Sequence, residues 1–345
     1  MNNLLWFLIL VIVVVLGWRG WRYWRERKAL QQRAQVEDAL KYLLEREIES
    51  HPPTVEALAG ALHLPRGKAL RLVEEMEARG LVSTRGTALA LTPEGRQWAL
   101  HVLRAHRLWE RYLADEARLP LEQVHREAHR WEHGITPEAL DHLEAHLGHP
   151  RFDPHGDPIP RRDGLPPKPQ GTPLTAWPLN TPGVITHLED EPPRAFKQIL
   201  EAGLRLGQQV MVQAVTPEGL RLSDGQREYV LPPAVAANVY VAPPEEAASP
   251  PPDVVPLSQV PDGQPAEVVA IAPWMQGFTR RRLMDLGLTP GAEVVPVLRP
   301  FFGDPRAYRV RGTTIALRED QAAAVWVRPK KASTQAAVAA SRALE

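Results

Sequence analysis

The chain has no cysteine among its 345 residues. That absence excludes disulfides, thiolate nucleophiles, iron–sulfur clusters and thiolate zinc sites, and it leaves imidazole and carboxylate as the strong metal ligands at hand. It also fits a reducing compartment. Net charge is lacking too, since 41 Lys and Arg offset 41 Asp and Glu. No global basic field advertises a nucleic-acid partner, so any such binding must come from a local patch. Prolines, by contrast, are many. The 35 of them concentrate around residues 150–193 and 243–256, where they mark extended connectors. The length is enough for two or three domains, each with its own core.

One long apolar run is present, Leu4 to Leu16, and Trp18, Trp21, Tyr23 and Trp24 extend it as an aromatic, interface-seeking collar. Run and collar together make about 20 residues, the length that crosses a bilayer. Arg19, Arg22, Arg25, Arg27 and Lys28 follow the apolar core instead of preceding it, and no small-residue cleavage site appears. The expectation is a retained single-pass anchor in the cytoplasmic membrane, with residues after about 19 in the cytoplasm.

What the chain does have is histidine at regular spacing. His125, His129 and His133 recur every fourth residue, with Glu132 beside the last. On a helix His129, Glu132 and His133 share one face, within reach of one cation. His106 and Glu110 repeat the i, i+4 arrangement upstream, so two nitrogen-and-oxygen ligand sets can converge from two helices.

The surrounding pattern predicts a helix over 35–49, a short Thr54-capped helix to Leu62, and a third helix over 66–79 with Leu70, Val73 and Met76 inward and Gly80 as its stop. Two short strands follow, at 81–83 and 88–91. Helix, helix, turn, helix and two-stranded wing is the winged helix-turn-helix order. Arg66, Lys68 and Arg71 occupy the first half of the third helix and Glu74, Glu75 and Glu77 the second, as suits a recognition helix entering a major groove by its N-terminal half. Arg85 sits in the wing. Only Arg71 looks suited to bidentate contact with guanine. The same charges also fit a packing module with a solvated face.

Helices are expected over 93–119 and 121–133, then a Thr136-capped one to Leu147. Gly148 to Pro160 holds too many prolines to be helical and reads as an ordered strap. Beyond it lies an internal repeat. Pro173-Leu174-Thr175 recurs as Pro256-Leu257-Ser258, Gly203-Leu204 through Val210 as Gly287-Leu288 through Val294, and Val239-Tyr240-Val241 as Val325-Trp326-Val327. An offset that stays near 84 residues argues duplication of a small barrel. The Gly-x-x-x-Gly in each copy is a turn and not a phosphate loop, since no Lys-Ser/Thr follows.

The run Asp38 to Pro160 resembles the diphtheria toxin repressor family of iron- and manganese-dependent repressors. Ala105-His106-Arg107-Leu108, Val124 to His133, and Pro154-His155-Gly156-Asp157-Pro158-Ile159-Pro160 carry the likeness. Residues 173–242 resemble that family's SH3-like domain, and 256–328 resemble the small domain of ferrous-iron transport protein A. Together with the expected transmembrane helix, the fold class is multidomain α+β, in which the resemblance implies a winged helix, an all-α metal-binding and dimerisation domain and two SH3-like barrels. Its divisions are 1–34 (anchor and basic segment), 35–97 (DNA-binding), 98–160 (metal and dimer), 161–172 (linker), 173–242 (first barrel), 243–255 (linker), 256–328 (second barrel) and 329–345 (disordered tail).

By that resemblance a primary metal site comprises Asp38, His129, Glu132 and His133. An ancillary site comprises His106, Glu110 and His125, completed by Glu191 or Glu189 from the first barrel. Two departures stand out: His129 lies where iron sensors often have cysteine and manganese sensors a carboxylate, and Lys41 where manganese sensors carry a further acid. An all nitrogen/oxygen set suits Fe2+ or Mn2+ and also accommodates Zn2+. The function implied is a metal-dependent DNA-binding regulator, a homodimeric repressor of metal-homeostasis genes in which metal clamps the DNA-binding domain to the dimerisation domain; the expected anchor, a departure from that family, would tether it to the membrane. The alternative is a membrane accessory of ferrous-iron transport that keeps the fold without sequence-specific DNA binding and touches a transporter through its barrels. Nothing supplies the nucleophile or substrate pocket of an enzyme.

Overall fold

The computed structural model describes residues 2–48, 50–51, 53–162, 164–165, 167, 171–244, 253–298 and 304–330, and for residues 2–15 and Arg85 the backbone alone. The chain divides into two compact units. One holds the residues up to Leu103 together with Glu132–Ile135, and the other holds Arg104–Trp131 and the residues from Thr136 onward.

In the first unit α1 (Asn2–Ile48) is a single unbroken helix where the sequence predicts an anchor, a connector and a separate helix. No helix among the described residues is long and apolar enough to cross a membrane. This finding overturns the transmembrane anchor and the single-pass localisation. The physical reason is length, because Leu4 to Leu16 makes only about 20 Å of helix against a hydrocarbon core of roughly 30 Å. The aromatic collar that would supply the remainder is interleaved with arginines that use it otherwise. Arg25 lies over the Trp21 ring at 4.6 Å and Arg27 over Tyr23 at 4.8 Å, cation–π pairs at i, i+4 along an exposed helix.

The last third of α1 carries the core of this unit. Val36, Leu40, Leu43 and Leu44 pack with Leu58 of α2 (Val55–Ala61), with Leu72, Val73 and Met76 of α3 (Arg66–Ala78), and with Leu89 and Leu91 of the strand Ala88–Leu91. The inward face of α3 is Ala69, Leu72, Val73 and Met76, and Leu70 is only partly covered. Thr54 caps α2 by accepting from Ala57 N at 3.2 Å. The wing is the antiparallel pair β1 (Val82–Arg85) and β2 (Ala88–Leu91). The side chain of Arg85 lies outside the described residues.

The second unit begins within α4 (Pro93–Asp115) and continues through α5 (Leu121–Trp131) and α6 (Pro137–His146), the latter capped by Thr136. After α6 the strap 148–160 turns back on itself through a Phe152–Pro158 bridge. The Asp153 Oδ1 holds that turn by accepting from His155 N (2.8 Å) and Asp157 N (2.9 Å).

Two β domains complete the unit. The first has β3 (Thr172–Pro173), β4 (Pro182–Leu188), α7 (Pro193–Glu201), β5 (Gln209–Thr216), β6 (Gly219–Ser223), β7 (Glu228–Leu231), α8 (Pro233–Ala236) and β8 (Val239–Ala242), in sheet order β3-β8-β4-β5-β6-β7. The second repeats the pattern with β9 (Val255–Pro256), β10 (Ala266–Ile271), β11 (Glu293–Leu298), β12 (Arg306–Val310), β13 (Thr313–Leu317) and β14 (Val325–Pro329), in order β9-β14-β10-β11-β12-β13. Even the register irregularities recur. The β4–β8 ladder slips between Ile185 and His187 and the β10–β14 ladder between Val268 and Ala270, while the β5–β6 slip at Val212/Ala214 matches that of β11–β12 at Pro296/Leu298. Bulges at equivalent positions argue descent from one ancestral domain more strongly than strand order alone. Of the expected linkers and tail, residues 163, 166, 168–170, 245–252 and 331–345 lie outside the described residues.

Candidate metal centre

Three residues of the first candidate set, Asp38, Glu132 and His133, lie in the first unit. Asp38 projects from α1, and Glu132 and His133 come from the turn that follows α5, since that helix ends at Trp131 and not at residue 133. His133 Nε2 lies 3.4 Å from Asp38 Oδ1 and 3.8 Å from Glu132 Oε1. Its other ring nitrogen, Nδ1, is 2.8 Å from Glu37 Oε2. Glu37 is buried and also accepts from Arg33 Nε (2.8 Å) and Trp98 Nε1 (3.3 Å). A carboxylate on Nδ1 fixes the ring so that Nε2 faces Asp38 and Glu132, the arrangement in which histidine ligands are oriented from behind. Burial disfavours the imidazolium, but Glu37, Asp38 and Glu132 outweigh it and raise the His133 pKa. Lys41 Nζ sits 3.1 Å from Glu132 Oε1 and 3.2 Å from Oε2, so the buried Glu132 carboxylate already has a cation at hand. His129 lies on α5, in the second unit.

The second ligand set lies wholly in the second unit. His106 and Glu110 are one turn apart on the buried side of α4, with Nε2 to Oε1 at 3.0 Å. From α5, His125 Nδ1 comes within 3.2 Å of the same oxygen and 3.3 Å of His106 Nε2. The third side of the cluster is the strap and the β4–α7 loop. His155 Nδ1 is 3.8 Å from Glu110 Oε1 and 3.6 Å from Asp190 Oδ2, and Asp190 Oδ2 is 2.8 Å from His125 Nδ1. Asp190, not its neighbours, is the first β domain's close contact. Glu191 is largely exposed with Oε1 3.8 Å from His125 Nε2, and Glu189 turns to His187 at 3.7 Å. Ligand-capable atoms of His106, Glu110 and His125 lie within 4.8 Å of one another, and so do those of Glu110, Asp153 and His155.

This second cluster is electrostatically tense. Burial would raise the Glu110 carboxyl, but His106 and His155 hold it well below the usual range. Burial likewise opposes charge on His125, yet hydrogen bonds to Asp190 and Glu110 push that imidazole up to about 11. Asp153 goes the other way, driven up to about 7 by burial and by Asp157 and Glu110. Asp153 Oδ2 and His155 Nε2 are buried without a hydrogen-bond partner, an arrangement that costs free energy unless something else satisfies those atoms. Converging imidazoles and carboxylates with orphaned buried donor atoms fit a divalent cation of the nitrogen/oxygen-preferring kind.

Four residues of these clusters escape the sequence reading: Glu37, Asp153, His155 and Asp190. His155 is the one with a signal, since a histidine between prolines in an ordered strap is placed and not merely exposed. Of the residues expected to contact DNA, Arg66, Lys68 and Arg71 are all exposed on α3, with Arg66 Nε 2.9 Å from Glu56 Oε1.

Residues 92–161 match the family described as "Iron dependent repressor, metal binding and dimerisation domain", and residues 255–329 match the FeoA domain. The chain is 38% identical over 122 residues to the iron-dependent repressor IdeR of Mycobacterium leprae, covering 35% of this chain and 53% of that protein. It is 37% identical over 127 residues to the diphtheria toxin repressor of Corynebacterium diphtheriae, covering 36% and 56%. The chain thus spans about half the length of the curated relatives it matches. Among solved structures, a manganese-dependent transcriptional repressor in complex with manganese aligns with TM-score 0.55 at 28% identity, covering 60% of this chain and 99% of the other. The manganese regulator SloR shares the fold with TM-score 0.51 at 21% identity, covering 60% and 98%. The architecture is therefore the mixed α+β repressor fold, with a metal-binding and dimerisation domain of the iron-dependent repressor type and a C-terminal FeoA-like domain.

Proposed function

We propose that the chain is a divalent-metal-dependent transcriptional regulator that binds duplex DNA as a homodimer, repressing genes of metal homeostasis in response to Fe2+ or Mn2+. Zn2+ also suits its ligands, because an all nitrogen/oxygen donor set does not discriminate among these ions by type. The observation that carries the reading is the meeting of Asp38, on the winged-helix scaffold, with Glu132 and His133, from the turn that ends the dimerisation helix α5. His129, one helical turn before His133 in sequence, completes the set.

In this reading Asp38 is the movable partner, and Glu132 and His133 are the fixed ones. Glu37 and Trp98 hold the His133 ring in its working orientation. A bound divalent cation supplies positive charge that both carboxylates and the neutral imidazole favour together. Asp38 and His133 then stay joined, which restricts the spread between paired α3 helices and favours the DNA-competent arrangement. Arg66, Lys68 and Arg71, with Arg85 from the wing, supply phosphate contacts, and Arg71 is suited to guanine. His106, Glu110 and His125, with Asp190, His155 and Asp153 and with Glu191 at the rim, form the ancillary site.

A coupling of about 1–3 kcal/mol corresponds to roughly 5- to 150-fold tighter operator binding when metal is present. Selection from random duplex DNA, run with Mn2+, Fe2+ or Zn2+ on the full chain, is expected to enrich a palindromic site. Asp38→Ala and His133→Ala are expected to abolish the metal-stimulated gel shift on that site while leaving the far-ultraviolet circular dichroism unchanged. A His133→Ala protein that still responds fully to metal would sink the clamp.

A further inference from the structure

We propose that the second β domain is a positioning element for the ancillary cluster: its β10-to-helix loop grips the strap that carries Asp153 and His155. The inference rests on the reading that this cluster holds a cation.

The two β domains meet the metal-binding helices through the same loop. In the first copy, Leu188 to Pro193 joins β4 to α7 and delivers Asp190 Oδ2 to 2.8 Å from His125 Nδ1. Its counterpart in the second copy, Ala272 to Gly277, joins β10 to the helix Gly277–Asp285. This loop contains neither carboxylate nor imidazole and so offers no strong ligand. It makes hydrogen bonds instead. Gly277 N donates to Asp115 Oδ1 at 2.7 Å, Met275 O accepts from Arg111 Nη2 at 3.1 Å, and Gln276 Nε2 donates to Pro154 O at 3.0 Å. Behind the loop, Arg280 Nη2 donates to Leu147 O at 3.0 Å, and Arg281 pairs with Glu116.

Two features make this more than a surface collision. Arg111, Asp115 and Arg280 are all at most 4% exposed. Desolvated charges of this kind persist only in a fixed geometry, because removing a partner leaves an uncompensated buried charge. The contact also lands on the ligand strap. Pro154 stands between Asp153 and His155, and its carbonyl is held from the second β domain by Gln276. The next carbonyl, that of His155, is held from the first β domain by Leu188 N at 2.9 Å. Consecutive peptide units of the strap are thus fixed by equivalent parts of a duplicated domain. One copy supplies a ligand, and the other aims two of them. Gln276 is a positioning residue, acting through Pro154 on its neighbours.

Mn2+ titration of the full chain, read as free Mn2+ by electron paramagnetic resonance, tests this in two backgrounds. In His133→Ala, which leaves the ancillary cluster, Gln276→Glu replaces the donor by an isosteric acceptor facing a carbonyl. The expected loss of Mn2+ affinity is about 10-fold, the scale seen when outer partners of metal ligands are changed, with Gln276→Ala losing less. In Glu110→Gln, which leaves the first set, Gln276→Glu is expected to change nothing. Unchanged ancillary affinity in Gln276→Glu would overturn the proposal, and so would equal losses in both backgrounds, which would mark general destabilisation. If His133→Ala alone binds no Mn2+, the cluster itself is not a metal site and the inference falls with it, a result distinct from the other two.

Discussion

At the scale of single residues, the departure with the sharpest consequence is Lys41. Its ammonium lies against both oxygens of Glu132, whose side chain is fully buried. Burial would lower the lysine pKa, but Glu132, Glu45 and Asp38 keep it raised, so the amine stays charged and competes with any cation that Glu132 would ligate. Lys41→Met removes the competitor and leaves Glu132 buried without that counter-charge, a loss of about 3–5 kcal/mol for a broken buried pair before relaxation. The expectation is a metal-free chain that melts lower, and Mn2+ affinity at the first set that rises by roughly 10-fold, since a divalent ion then restores the lost partner. Titration and melting of Lys41→Met in the Glu110→Gln background check this, and weaker Mn2+ binding would show that Lys41 supports the site. The candidate ligands His106 and Glu110 are legible from spacing because they lie one turn apart on a regular helix, whereas Asp38 enters only through the resemblance. Glu37 was not legible. Adjacent to Asp38 and about 100° round the helix, it reads as a solvated acid until the fold turns Trp98 and His133 onto it. Asp190 against Glu191 is a one-residue ambiguity that only the loop's path resolves.

At the scale of elements, the strap shows why sequence reading stops where it does. Its prolines exclude helix, yet nothing local says that its turn will abut the bulge residue Thr186 of the first β domain. Gly156 adopts φ +98°, and a Cβ built on it would lie 2.2 Å from Thr186 O. Gly156→Ala therefore meets both a backbone penalty and a steric one. The expected cost exceeds about 1 kcal/mol, the upper size of the gain that alanine brings at a compatible glycine position, and the strap must shift, carrying His155 and Asp153 away from Glu110. Calorimetric melting with Mn2+ titration in the His133→Ala background would register both effects, and an unaltered ancillary affinity would show that the strap's position does not matter to the cluster. Helix ends were the other weak point. Periodicity carries α5 to residue 133, but the helix stops at Trp131, and the turn beyond it is what swings Glu132 and His133 toward α1. For α3 the apolar pattern predicts Leu70, Val73 and Met76 inward; Val73 and Met76 are buried, but Ala69 and Leu72 join them in place of Leu70.

At the scale of the whole molecule, the duplication was legible because an offset of fixed length survives divergence, and the structure extends it to strand order and bulges. The anchor reading fails at the same scale, since an apolar run reads as a span only when arginine-bearing turns are counted with it. The absence of cysteine has a consequence for the chain as a whole: a metal ion held as proposed is held by imidazole and carboxylate, and its binding is therefore proton-linked. Among the groups not proposed as ligands, His187 is 4% exposed. Burial opposes its charge, but Asp157 and Glu189, aided by Asp153, push its pKa up to about 9. A folded-state value raised above the unfolded value of about 6.5 means stability fully present below pH 6.5 and lost as pH climbs through about 9. His125, pushed up to about 11, acts in the same direction over a higher window. Metal reverses the sign, because imidazole ligands must give up their protons to bind it. In EDTA the melting temperature is expected to fall between pH 6.5 and 10, with a flatter profile in His187→Gln. Under saturating Mn2+ the increment over the EDTA curve is expected to grow from pH 6 to 8.5, with protons released on binding. A Mn2+ increment that shrinks over that range would mean the histidines do not ligate the ion.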